Sequence, residues 1–247
     1  MLVSNEDVYV RTFNNCYELN PADGEYITEY LGVDHGHSEQ ISIALVKIVP
    51  NHSSLAHYHK NREEAYIIIS GIATLVVDEV ERVLKPGDIA HIPQGAVHQI
   101  FNKGQEDLIF NCICAPAWIY QDYNLDLESI KQKEKALSFV KSETEVQSET
   151  DGHTRVCKLL GHEEECGKAR KIQVSLREIF AQKAYLGVPS KADGCFIIKK
   201  GEGCLEINGK KINVERGQMV KIPAEQEARL ANIGNETLKL YEIHAII

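Results

Sequence analysis

The sequence lacks any apolar run approaching the roughly 18 residues that a membrane-spanning helix needs, so no membrane span is expected. It also lacks basic charge: 27 Lys and Arg stand against 36 Asp and Glu, a formal net charge of −9. Gripping a phosphate backbone takes clustered Lys and Arg. No basic helix or Cys/His finger spacing supplies them, so nucleic acid is not an expected partner. None of the seven cysteines stands in a C-x-x-C pair. Cys112 and Cys114 share a face if they lie on a strand, and Cys195 and Cys204 could meet across a hairpin. The odd, scattered count nevertheless reads as reduced, buried thiols. The start, MLVSNEDVYVRTF, carries early acidic residues and no apolar core, unlike a secretory signal, so a cytoplasmic protein is expected.

What the sequence does have is punctuation. Short β-branched runs such as ISIALVKIV (residues 41–49), AYIIIS, GIATLVV and DLIFNCIC recur at near-even spacing between Gly, Pro or acidic turns. That pattern belongs to an all-β sandwich or barrel. After Asn124 the character changes. Residues 125–141 put Leu127, Ile130, Leu137 and Val140 on one helical stripe, with Asn124 or Asp126 as N-cap. The SETEVQSETDGHT that follows has little to bury and reads as a flexible linker. The expected organisation is a barrel over 1–124, a helix plus linker over 125–152, and a second barrel over 153–247.

The second barrel repeats the first. At an offset of 130, Gly71 falls on Gly201, Leu75 on Leu205, Gly87 on Gly217, Pro93 on Pro223 and Asn102 on Asn232. The acidic turn Asp78-Glu79 falls on Asn208-Gly209, a two-residue hairpin signal. Chemistry is not repeated. His57, His59, Glu64 and His98 become Gly187, Pro189, Gly194 and Ala228.

Those four residues form a metal-ligand pattern. His57 and His59 lie two apart on a strand, so both rings point to one face. Glu64 follows a polar turn and shares a strand face with Tyr66, Ile68 and Ser70. His98 comes from a distant strand that barrel closure must bring alongside. Three imidazoles and a carboxylate suit one divalent ion such as Fe, Mn, Ni, Co or Zn, and leave positions for water or substrate. His35 and His37 read as surface loop, and His52, His91 and His162 as ordinary core or surface histidines.

Residues 57–71 and 87–102 resemble the two motifs of the cupin superfamily, G(X)5HXH(X)3,4E(X)6G and G(X)5PXG(X)2H(X)3N. The second matches at Gly87, Pro93, Gly95, His98 and Asn102. In the first, the six-residue step to Gly71 selects Glu64 over Glu63, and Asn51 replaces the leading glycine, a residue that tolerates left-handed turns. The resemblance implies a bicupin: a double-stranded β-helix of jelly-roll type in each half, joined by a helical linker. It places the metal in the N-terminal barrel only. EEAYIIISG and the CAPAW segment are most similar to small cupins of the mannose-6-phosphate-isomerase-like kind.

A divalent ion with open positions can polarise a carbonyl or hydroxyl, acidify water or, as iron, bind dioxygen. Two functions of different class follow. One is an enzyme acting on a small oxygenated metabolite, as isomerase, lyase, decarboxylase or dioxygenase. The other is a non-catalytic protein that binds or senses a small molecule or sugar. Tyr66 is the candidate catalytic acid/base. Trp118 and Tyr120 are expected to pack on the linker helix or close one mouth of the barrel. The outward positions Ala65, Ile67 and Ile69 are apolar and need cover from another sheet or from another chain, as in a homodimer.

Overall fold

Alternating side chains build both halves of the chain. The computed structural model describes residues 8–12, 18–127 and 139–247, which divide into two units. The first contains a seven-stranded antiparallel sheet in the order Phe139–Ser142, Asp88–Ile92, Glu63–Ser70, Leu108–Ala115, Ser42–Ile48, Glu25–Leu31, Glu18–Leu19. Facing strands come from His98–Phe101, Ala73–Val77 and Val80–Leu84, with Tyr58–His59 paired to Tyr123–Asn124. Between the layers lies a core that includes Val46, Ile68, Leu75, Ile92, Ile100 and Phe110.

The second unit has the same plan. Its seven-stranded sheet runs Val10–Thr12, Gln218–Ile222, Gly194–Lys200, Leu238–Ala245, Ile172–Ile179, Thr154–Leu160, Ser148–Thr150. Its facing sheet runs Ala184–Gly187, Ala228–Asn232, Glu202–Ile207, Lys210–Glu215. The offset of 130 carries core onto core: Ile198, Leu205, Ile222, Leu230 and Leu240 take the places of Ile68, Leu75, Ile92, Ile100 and Phe110. The chain is therefore all-β, two jelly-roll barrels in sequence.

Shared punctuation has a shared cause. Val77 pairs with Val80 and Ile207 with Lys210, so each hairpin turns in two residues. All four turn residues have positive φ: Asp78 44°, Glu79 69°, Asn208 52° and Gly209 72°. That is the primed-turn geometry that matches strand twist. The buried Asn102 donates to the carbonyls of Ile48 and Glu106, both at 2.8 Å, and accepts from the Gly104 N–H at 3.0 Å. Asn232 does the same with Ile179, Glu236 and Gly234 at 2.8, 2.7 and 2.9 Å.

The connecting region differs from expectation. Residues 128–138, the body of the expected helix, lie outside the described residues. Its end, Phe139–Ser142, is a strand paired with Asp88–Ile92, and Val140 packs on the first core. Main-chain pairing to an open sheet edge there outweighs the helical stripe. Part of the expected linker is also a strand: Ser148–Thr150 pairs with Thr154–Leu160 although all three residues are exposed. Unpaired edge groups can order a segment that has nothing apolar to bury. Boundaries move accordingly. Val10–Thr12 belongs to the second unit, and Leu160–Ile172 to the first. Ala65 and Ile67 are buried within the chain, while Ile69 is exposed.

The interior of the second barrel is polar in its own way. Gly194, Glu242 and His244 stand where the first barrel has Glu64, Cys112 and Cys114. Gly194 pairs with His244 across the sheet, and a Cβ at Gly194 would overlap the His244 ring. Arg177 meets Glu242 at 2.7 Å and lies over the Tyr185 ring, whose hydroxyl donates to Glu242 at 2.7 Å. Burial pushes the Glu242 carboxyl up, but His244, Arg177 and Tyr185 outweigh it and hold it at about 2.

Two outcomes are expected. Asn102→Ala and Asn232→Ala should each cost ~2–3 kcal/mol, because each removes three buried hydrogen bonds, and should lower the urea midpoint. Glu242, titrating below its ordinary 4.5, stabilises the fold above about pH 4.5 and stops doing so as pH falls toward about 2. The stability gap between wild type and Glu242→Gln, on the order of 3 kcal/mol near pH 6, should close by pH 2 in urea titrations.

Candidate metal centre

His57, His59, Glu64 and His98 are all buried, and one potential ligand atom from each lies within 4.8 Å of the others. Three elements deliver them. His57 and His98 exchange main-chain hydrogen bonds of 3.1 and 2.9 Å, which places two residues far apart in sequence side by side. His59 ends the short strand Tyr58–His59, and Glu64 opens Glu63–Ser70. The motif positions that carry no ligand are accounted for as well. Asn51 has φ 63°, the left-handed conformation for which glycine is usually chosen. Gly71 has φ 80°, and a Cβ there would sit 2.8 Å from the Asp107 carbonyl oxygen.

Hydrogen bonds set the direction of all three rings. The Nδ1 atoms of His57, His59 and His98 lie 2.8, 2.9 and 3.1 Å from the carbonyl oxygens of Leu55, Asp122 and Ala96. A carbonyl only accepts, so each Nδ1 carries a hydrogen, and in the neutral ring Nε2 then offers its lone pair. Yet His98 Nε2 lies 2.7 Å and His59 Nε2 3.4 Å from Glu64 oxygens, acceptor against acceptor, and both nitrogens are buried without a hydrogen-bond partner. Only positive charge between them relieves that arrangement. Burial, with His98 nearby, pushes His57 down to about 3, leaving it a neutral donor. Burial also pushes Glu64 up, but His59 and His98 outweigh it and hold the carboxyl well below its usual range. Burial lowers His59, but Glu64 outweighs it and raises the ring, as a carboxylate does for any cation held beside it. Three imidazoles facing an ionised carboxylate fit a divalent ion.

Further residues hold the ligands still. Tyr66 donates its hydroxyl to Glu64 Oε2 at 3.2 Å, and the thiols of Cys114 and Cys112 approach Oε1 at 3.1 and 3.5 Å. Burial and the Glu64 charge push the Tyr66 phenol well up, so it is a donor at neutral pH. Cys112 and Cys114 are free thiols 3.9 Å apart. The turn between His59 and Glu64 is clamped by Asp122, which accepts from the N–H groups of Lys60 and Asn61 and pairs with the buried Arg62 at 3.2 Å. Nothing in the local sequence announces Asp122, because it acts from about 60 residues away. Neighbouring Glu63 faces the opposite side of the sheet, where it meets His91 at 3.3 Å and accepts the Arg170 and Lys171 N–H groups at 3.0 Å.

A cavity of about 280 Å³ opens beside the cluster, lined by Glu25, Ile27, Tyr66, Phe110, Trp118 and Tyr123 among others. Trp118 and Tyr120 both belong to this lining. Tyr123, which sequence reading passed over, packs tilted against His57 at 4.5 Å. Glu25 was missed too. Its signal was parity in EYITEYL, which puts Glu25, Ile27 and Glu29 on one face. Burial, helped by Glu64, pushes its carboxyl up to about 7. The remaining histidines stay apart from the cluster: His35 pairs with Glu29 at 2.9 Å, and His52 with Asp23 at 3.6 Å.

With this geometry in place, comparison with known proteins is informative. The cupin domain family model matches residues 44–114. An uncharacterized protein of Methanocaldococcus jannaschii is 29% identical over 102 residues, covering 40% of this chain and 80% of that one. A variant of oxalate decarboxylase from Bacillus subtilis superimposes with a TM-score of 0.76 at 17% identity, covering all of this chain and 78% of that one. The oxalate decarboxylase of Lactobacillus farciminis, in a formate complex, gives 0.78 at 15% identity, covering all of this chain and 87% of that one. At such identities the likeness speaks to fold alone. No helix among the described residues is long and apolar enough to cross a membrane. Together these findings put a cupin domain at residues 44–114, around the ligand cluster, and give the whole chain the fold of the two oxalate decarboxylase structures.

Proposed function

We propose that the chain is a metal-dependent enzyme acting on a small oxygenated molecule in the cavity of the first barrel. One observation carries this reading. Three Nε2 lone pairs and an ionised carboxylate converge beside a cavity, so His57, His59, Glu64 and His98 would hold a divalent ion next to space for a ligand. Such an ion, when bound, polarises a carbonyl or hydroxyl and acidifies water. Tyr66 serves the site by positioning Glu64 through its hydroxyl. At the matching place the second barrel has Phe196, the same ring without the oxygen, which supports tying that hydroxyl to the metal site. Oxalate, named with the two similar structures, suits this cavity poorly. Among the described residues the lining contains no Lys or Arg to meet a dianion.

Purified protein should hold about one divalent transition ion per chain by elemental analysis. His59→Ala should lose at least nine-tenths of it while keeping its circular dichroism. Tyr66→Phe should keep the fold and weaken metal affinity ~10-fold, the usual range for a residue that orients a ligand. When the metal-loaded protein is incubated with a metabolite mixture and depletion followed by mass spectrometry, His59→Ala should abolish every depletion seen with wild type. Depletion that persists in that variant would sink the enzyme reading.

A further inference from the structure

The charged lining of the first cavity is one-sided. Among the described residues its carboxylates are Glu25, Glu29 and Glu64, and no Lys or Arg side chain accompanies them. Two of the three are satisfied: Glu64 faces the imidazoles, and Glu29 pairs with His35 at 2.9 Å. Glu25 is different. It is 5% exposed, lines the cavity, and its Oε2 is buried with no hydrogen-bond partner. Folded proteins seldom leave such an atom unpaired, because a buried acceptor without a donor costs about 1–3 kcal/mol.

Beside a few small polar groups such as Asn20, Ser42 and Ser54, much of the lining is aromatic or aliphatic: Tyr66, Phe110, Trp118 and Tyr123, with Ile27 and Val46. Trp118 and Tyr123 meet edge to face at 6.4 Å. A lone carboxylate in an aromatic wall has the two features that attract an ammonium group: a charge to pair with and ring faces whose quadrupole favours cations. At about 280 Å³ the cavity lies near the lower end of the ~300–1,000 Å³ typical of ligand pockets, so the ligand is metabolite-sized.

We infer that the cavity of the first barrel selects a small amine with an apolar or aromatic body, its ammonium group received by Glu25. This deepens the proposed function by naming the substrate class of the same site, and rests on it for the claim that the bound molecule is a substrate. Glu25 is a binding residue here and not one of the metal donors.

The test uses the full chain loaded with zinc and three probes built on one ring: tyramine, neutral 4-ethylphenol and anionic 4-hydroxyphenylacetate. Isothermal titration should show tyramine binding at least tenfold tighter than 4-ethylphenol, with 4-hydroxyphenylacetate weakest. Glu25→Gln should erase the tyramine preference. Tyr123→Leu, which leaves the charge in place, should weaken tyramine severalfold. Zinc content should be unchanged in both variants. Equal or tighter binding of the anion, no binding of any probe, or an unaltered order in Glu25→Gln would overturn the inference. Zinc measured in the same wild-type samples separates the two ideas. Protein that holds no zinc but prefers tyramine refutes the metal reading and keeps this one, whereas zinc-loaded protein indifferent to tyramine does the reverse.

Discussion

Each of three imidazoles gives its Nδ1 hydrogen to a main-chain carbonyl, and much of the first barrel exists to make that possible. The carbonyls of Leu55, Ala96 and Asp122 sit where strand pairing and the turn around Asp122 put them. With those protons committed, the Nε2 lone pairs have one way to point, toward Glu64. The resulting cluster of acceptors is unfavourable by itself, which is why a cation would suit it. Fold stability supplies the free energy that holds it together. A buried core, the clamp at Asp122 and the three donors on Glu64 keep the ligands from turning away from one another.

The second barrel shows the same scaffold without that tension. There the ligand positions are Gly187, Pro189, Gly194 and Ala228, and a connected set of Arg177, Tyr185, Glu242 and His244 occupies the interior. The Glu242 carboxylate meets the Arg177 guanidinium and the Tyr185 hydroxyl. His244 fills the space that a side chain at Gly194 would require. A side chain at position 194 and the His244 ring therefore exclude each other as placed.

Much of this was legible in the sequence, for reasons of geometry. Strand parity placed His57 with His59, the six-residue step to Gly71 selected Glu64 over Glu63, and the hairpin dipeptides and glycines marked the repeat. Periodicity misled where the chain had a partner to pair with. Phe139–Ser142 read as the end of a helix, but the edge of Asp88–Ile92 offered a continuous set of hydrogen bonds. What stayed hidden were residues whose roles depend on distant strands. Asp122 steadies a turn about 60 residues before it, Tyr123 packs tilted against His57, and Glu25, whose strand parity marked a shared face with Ile27 and Glu29, meets the cavity only through the folded sheet. A motif reports neighbours along the chain, whereas these contacts are made only once the sheet has closed.

The edge strand Val10–Thr12 also bears on how the protein is made. Its pairing partner, Gln218–Ile222, is synthesised about 200 residues later, an interval of about 10–40 s at common translation rates. Throughout that interval the first barrel can assemble from residues already outside the ribosome, while an early strand waits with its hydrogen-bonding groups unmet. Completion of the second barrel is thereby deferred to the end of translation, and a chain cut between the two halves would leave the later half without an edge that the earlier half carries.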